Sequence, residues 1–292
     1  MIEKRIPDMQ NKDIQHGNSS WWTENTMSYD WNDKVKHEKF SLPWYNEIDN
    51  RFIRSARLFA TNKIPFDNII PFEEISGKQV LEIGCGMGLH SELMTRAGAT
   101  LSAIDLSPTS VEATKTRFSL KKLQGNIQLA DAELIPFPDQ SFDFVWSWGV
   151  IHHSSRTARI VREISRVLKP GGECRIMVYN RLGVIVPITF FTHHLVKGKF
   201  LRQDFDQTLL ASSDGYSARF YTPDQFSDLF YAFFKDVSTE ILGQDSDSLP
   251  LPSRIRNVVI RFISENWLRK RQSKAGAFLF LKASNPLVNS AK

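Results

Sequence analysis

The residues whose types and spacing suggest chemistry are glycines 84, 86 and 88, carboxylates at Asp105 and Asp131, and the pair His152-His153. Val80-Leu81-Glu82-Ile83-Gly84-Cys85-Gly86-Met87-Gly88 reads as a buried strand running into glycines and then a helix. Glycines allow a sharp turn and close backbone approach to a ligand, and the helix N-terminus behind them offers free N–H groups. No GK[ST] follows, which disfavours a triphosphate loop. A dinucleotide fingerprint is GxGxxG, whereas here the third glycine comes one position early and Leu89 stands in its place. A purely structural glycine turn is the remaining reading. Asp105 closes the next strand about twenty residues on, where an acid accepts hydrogen bonds from ribose hydroxyls. Its alternative role is to cap the following helix with Ser107. At the end of the third strand Asp131 is placed to accept from an adenine amino group. Trp148 to His153 fall at the carboxyl end of the fourth strand, where open α/β sheets bind ligands.

These residues need a parallel sheet to hold them. Strands are expected at Gln79–Ile83, Thr100–Asp105, Ile127–Ala130, Phe142–Ser147 and Glu173–Tyr179, alternating with helices at Leu89–Ala97, Pro108–Leu120 and Arg156–Leu168. Lys169-Pro170-Gly171-Gly172 ends the last of these helices. Before this core, an aromatic-rich segment leads to a helical pattern over Glu47–Ala60. After it, Val184–Val196 reads as a cap helix, and Thr222-Pro223 opens another helix with threonine as cap. Two more strands are expected at Asp236–Leu242 and Ala277–Ala283. Between them Ser253–Lys270 reads as one basic amphipathic helix with Ile255, Val258, Val259, Phe262, Ile263 and Trp267 on its apolar positions. Such a helix either rests on an anionic membrane or packs on the domain with a solvated basic face.

The motifs LEIGCGMG, IDLS, GNIQLADAELIPFPDQSFDFVWSWGVIHH and REISRVLKPGG, in this order over residues 77 to 180, resemble the class I methyltransferases that use S-adenosylmethionine (SAM). The similarity is to the branch typified by ubiquinone and menaquinone C-methyltransferases. It implies a Rossmann-like α/β fold with a seven-stranded, mostly parallel sheet, the last strand antiparallel, and helices on both faces. It implies SAM as cofactor: Glu82, Gly84, Cys85, Gly86 and Gly88 around the methionine part, Asp105 and Leu106 at the ribose, Asp131 and Ala132 at the adenine, and Ser147 near the sulfonium. His152 is the expected general base, since imidazole titrates near the working pH. His153 is expected as a cofactor or structural contact. Acceptor contacts are expected from Trp22, Tyr29, Trp31, Trp148, Tyr179, Arg181, Arg219 and Tyr221.

The expected organisation is a lid over residues 1–70, a SAM-binding core over 71–182, a cap insertion over 183–234, and a sheet-completing segment over 235–292. Of the 292 residues, 41% are hydrophobic and 24% charged, ordinary values for a globular chain. The formal charge is +5 and the pI about 9.1, a mild excess rather than a nucleic-acid footprint. Two cysteines without CxxC spacing argue for reduced thiols and no structural metal. A nucleophilic Cys85 is the alternative at a helix N-terminus. The N-terminus lacks an apolar signal region and Val184–Val196 is too short to cross a bilayer, so a cytoplasmic location is expected. The expected partner is a small-molecule acceptor, with O-methylation preferred and C- or N-methylation open. A nucleic-acid or protein methyltransferase and a non-catalytic SAM-binding protein are the competing functions. Place 147–150 reads Ser-Trp-Gly-Val, not the [DN]PPY of adenine-N6 enzymes. Oligomeric state is not legible.

Overall fold

In a computed structural model describing residues 11–29, 34–61 and 64–287, the sheet runs in the order β3-β2-β1-β4-β5-β8-β7. The strands are β1 Gln79–Ile83, β2 Thr100–Asp105, β3 Asn126–Leu129, β4 Phe142–Trp148, β5 Leu168–Asn180, β6 Phe220–Tyr221, β7 Phe234–Leu242 and β8 Phe278–Pro286. The first five pair in parallel, and β8 lies antiparallel to both β5 and β7. The seven expected strands are present. An eighth, the two-residue β6, adds to the end of β5, too short to carry a signal of its own.

Central parallel strands are covered on both faces, so they read as unbroken apolar runs. Their side chains still alternate between two layers. Val80, Phe144, Trp146, Met177 and Phe280 face one core with Phe52, Phe59 and Phe66. Leu81, Ile83, Val145, Ile176 and Leu279 face the other, with Ile160, Ile164, Phe226 and Phe230.

The helices are α1 Asn11–Glu24, α2 Leu42–Ser55, α3 Leu89–Arg96, α4 Pro108–Leu120, α5 Thr157–Val167, α6 Ile185–Thr189, α7 Phe205–Leu210, α8 Pro223–Tyr231, α9 Asp245–Ser248, α10 Ser253–Val259 and α11 Glu265–Ala275. Capped by Ser41, α2 begins at Leu42, five residues before the expected start, and Pro43 sits in its first turn. Thr222 and Gln225 form a reciprocal capping box on α8. The expected cap helix is α6 running into a π-helical stretch, Phe190–Val196. The single basic helix expected at 253–270 is instead two. A short 3-10 turn, Ile260–Phe262, ends α10, and Ser264 caps α11 through Trp267 N–H. A good cap inside an amphipathic pattern starts a new helix because it satisfies the donors a break exposes. Among the described residues no helix is long and apolar enough to cross a membrane.

Candidate functional site

The β1–α3 turn shows why glycine is required. Gly84, Gly86 and Gly88 all have positive φ, at 81°, 52° and 80°. A Cβ at Gly84 would stand 2.1 Å from Val150 Cγ2, whereas a Cβ at Gly86 would meet nothing within 4 Å. The middle glycine thus leaves open space on a cavity of about 370 Å³, at the carboxyl ends of the parallel strands, within the range of small-molecule sites.

Asp105 braces this turn. Its Oδ2 accepts from Gly86 N–H at 3.0 Å and its Oδ1 from Ser107 N–H at 2.8 Å. Both sequence readings of Asp105 therefore meet in one geometry. A carboxylate has about four lone-pair sites, so acceptor capacity remains for a ligand. Burial pushes its carboxyl above the ordinary range. Asp131 accepts through Oδ1 from Glu133 N–H at 2.8 Å and from Gln15 Nε2 at 2.9 Å, leaving Oδ2 open. Glu82 is buried and accepts from Ser91 Oγ. Burial raises its pKa to about 8, with the charge of Asp105 adding to the rise. Cys85 lines the cavity, but burial drives its thiol far up, which removes it as a nucleophile near neutral pH.

Many of the expected residues meet on this cavity: Glu82, Gly84, Cys85, Gly86, Asp105, Leu106, Asp131, Ala132, Trp148, His153, Trp22, Tyr29 and Tyr179. Others lie elsewhere. Gly88 caps α3 and abuts Thr114 and Arg117. Ser147 is fully buried and donates to Ile83 O at 3.1 Å. Strand alternation turns Trp146 and Trp148, stacked at 5.8 Å, to one face and Ser147 to the other. Arg181 is ion-paired with Asp206 at 2.6 Å, Arg219 donates to Ser155 O at 2.8 Å, and Tyr221 donates to Thr157 Oγ1 at 2.9 Å. Trp31 lies outside the described residues.

His152, the expected base, does not line the cavity. It is fully buried with its ring 4.1 Å from that of Tyr179, and burial holds its pKa well below the ordinary value. His153 lines the cavity instead. The two sit in a 3-10 turn, Ile151–His153, with their ring centroids 4.1 Å apart, and His153 is the one of the pair that reaches the cavity wall. His153 Nδ1 donates to Ser217 O at 2.5 Å. In the neutral ring this assigns the lone pair to Nε2.

The sequence reading missed several residues. Gln15 and Asn18 on α1, with Trp22, cross the cavity, and Asn18 donates to His153 O at 2.7 Å. A lid and Trp22 were expected from this segment, but no pattern singled out the two amides. His90 was legible in principle, as a histidine in the first turn after the glycines. Trp146 Nε1–H donates to its Nδ1 at 3.2 Å. Indole is a donor only, so neutral His90 carries its proton on Nε2. That nitrogen is buried without a partner among the described residues. Burial lowers the pKa to about 3, which keeps the ring neutral. Phe66, Phe52 and Trp148 surround it with ring centroids 4.5, 5.5 and 5.9 Å away. Among the described residues no cluster of ligating side chains could hold a metal.

Residues 81–176 match the family model described as methyltransferase domain. The chain is 25% identical over 159 residues to a ubiquinone biosynthesis O-methyltransferase of Coxiella burnetii, covering 54% of this chain and 66% of the relative. To the protein of the same name in Xanthomonas oryzae pv. oryzae it is 34% identical over 125 residues, 42% of this chain and 52% of the relative. It thus spans less than two thirds of the length of these curated relatives. Among solved structures it resembles Haemonchus contortus Phospholethanolamine N-methyltransferase 2, a complex with phosphomonomethylethanolamine and S-adenosylhomocysteine, with TM-score 0.52 and 20% identity over 82% of this chain and 58% of that one. The complex between the Haloferax volcanii Trm112 methyltransferase activator and the putative methyltransferase is similar at TM-score 0.52 and 16% identity, over 83% of this chain and 92% of that one. At these identities the structural likeness speaks to the fold.

Proposed function

We propose, from the premise that residues 81–176 form a class I SAM-dependent methyltransferase domain of the ubiquinone-like group, that the chain methylates a small-molecule acceptor, preferentially at oxygen. The observation that carries this reading is one continuous cavity with two unlike ends. One end is the Gly84–Gly86 turn with Asp105 and Asp131. The other is an aromatic chamber of Tyr29, Phe52, His90, Trp148, Tyr179 and Phe278.

The first end fits SAM by its donor set. Gly86 leaves room that any Cβ would fill, Asp105 keeps acceptor capacity for a ribose hydroxyl, and Asp131 Oδ2 is open toward an adenine amino group. Glu82, Gly84 and Cys85 would hold the methionine part, with Leu106 and Ala132 beside the nucleoside. When bound, the cofactor supplies an electrophilic methyl on a sulfonium.

The protein's own work is then to align the acceptor, exclude water and manage one proton. The aromatic walls favour a planar, largely apolar acceptor. His90 Nε2–H offers an acceptor oxygen the one bond that this buried donor lacks. His153 Nε2 takes the proton of an acceptor hydroxyl, with Nδ1–H anchored on Ser217 O. That role passes to it from His152, which sits behind the wall. The printed name of the curated relatives, ubiquinone biosynthesis O-methyltransferase, supports the oxygen preference.

Calorimetry with SAM and S-adenosylhomocysteine tests the cofactor, and release of the latter in the presence of simple phenols tests the reaction. His153→Ala is expected to lower turnover by about 10²- to 10⁴-fold with SAM affinity nearly unchanged. Heat from a nicotinamide dinucleotide and none from SAM would overturn the reading.

A further inference from the structure

The basic helix region leaves several of its large apolar side chains in solvent. No residue of α10 is buried. Phe262, after it, is 85% exposed, and Ile255, Val258 and Trp267 are exposed too. A second such stretch follows β5, where Leu201 is 76% and Val196 71% exposed, with Phe191 and Leu182 also in solvent. Scattered apolar residues on a surface are ordinary, but clusters of large ones mark an interaction site.

The charge of the same two stretches says what kind of site. Residues 182–202 contain three cations and no acid, and residues 253–274 contain seven cations and one acid, Glu265. In the rest of the chain acids outnumber cations, although the whole is +5. The positive excess therefore sits where the apolar side chains are exposed.

Both stretches also spring from one place. Tyr179 on β5 pairs with Phe278 on β8, and both line the cavity. Leu182 follows the first by three residues and Ala275 precedes the second by three. Val184 N–H donates to Ala275 O at 2.8 Å, which ties the root of α6 to the end of α11. The far side of α11 is anchored, with Leu268 and Gln272 buried and Ser248 Oγ donating to Leu268 O at 3.0 Å.

We propose that residues 182–202 and 253–274 form a docking surface for an anionic lipid bilayer, rooted on the two strands that carry Tyr179 and Phe278 to the cavity. Exposed phenylalanine and leucine enter the headgroup boundary while arginine and lysine pair with lipid phosphates. With no spanning helix among the described residues, the contact is peripheral and reversible. It stands independently of the methyl-transfer reading.

Co-sedimentation of the full chain with phosphatidylglycerol-containing vesicles, against pure phosphatidylcholine vesicles, tests the proposal. Binding is expected to the anionic vesicles only, and to fall with added salt. The apolar pair Phe262→Ser/Leu201→Ser and the charge pair Arg254→Glu/Arg261→Glu change exposed side chains. Each pair is expected to weaken binding by about tenfold or more, with an unchanged Tm as the check on folding. No sedimentation with anionic vesicles at low salt would overturn the proposal, as would binding that neither pair weakens. A dimer in sedimentation velocity that Phe262→Ser/Leu201→Ser dissolves, without vesicle binding, would assign the surface to a second copy instead.

Discussion

Two buried residues at the cavity titrate in opposite senses. Glu82 has a folded pKa of about 8 against an ordinary 4.5. The folded protein keeps a proton that the unfolded chain releases, so this residue's contribution to stability falls as pH rises between those values and levels off above the upper one. His90, at about 3 against 6.5, stays unprotonated in the fold, and its contribution is lost as pH falls below 6.5. Glu82→Gln keeps an acceptor for Ser91 and removes only the first effect. Its Tm relative to the parent is expected to rise from about pH 5 to about pH 9, by up to a few kcal/mol of stability. A flat difference across that range in a calorimetric scan would mean Glu82 is ionised throughout. Asp105→Ala frees Gly86 N–H and Ser107 N–H together. Losing the charged acceptor of a ribose hydroxyl, worth about 1.5–3 kcal/mol, is expected to weaken SAM binding by about 10- to 100-fold, as read by calorimetry.

Elements are held to the sheet by polar as well as apolar contacts. Arg117 on α4 is fully buried and grips Asp49 of α2 at 2.6 and 2.9 Å and Glu92 of α3 at 2.9 Å. Its guanidinium lies over the Tyr45 ring at 4.6 Å. One side chain thus joins three helices on the face that carries the glycine turn. Arg117→Met takes the cation from Asp49, while Glu92 keeps Lys121 and Arg96, and is expected to cost about 3 kcal/mol in urea unfolding. Lysine is expected to recover little of it, because a point charge cannot reproduce the fork. At the other extreme, Thr222→Ala removes half of a capping box on α8. It is expected to cost about 1 kcal/mol, a small shift in Tm.

For the whole molecule, the question is how the cavity closes. The α1 helix reaches the site through three hydrogen bonds: Gln15 to Asp131, Asn18 to His153 O, and Ser19 to Leu106 O at 3.0 Å. Each partner is a residue expected at the cofactor. A ligand there and α1 share the same groups, so occupancy and docking of α1 are coupled. Deuterium uptake across residues 11–24 is expected to slow when S-adenosylhomocysteine is added. Unchanged uptake would separate α1 from the ligand.

Much of the core was legible in the residues themselves. The strand β1, the glycine turn, Asp105 and Asp131 announce themselves because their roles are local: a backbone that only glycine follows, and acids at strand ends that any parallel sheet brings to one edge. The capping of α8 was equally local. Which of His152 and His153 meets the cavity was not, since it depends on the rotation of a single 3-10 turn against Tyr179. Nor was His90, whose proton is placed by Trp146 from a strand 56 residues away. The apolar positions of α10 carried a correct helical period and left open whether that face packs on the domain or looks outward. Periodicity reports that a face exists, while only the packing of the chain determines whether anything covers it.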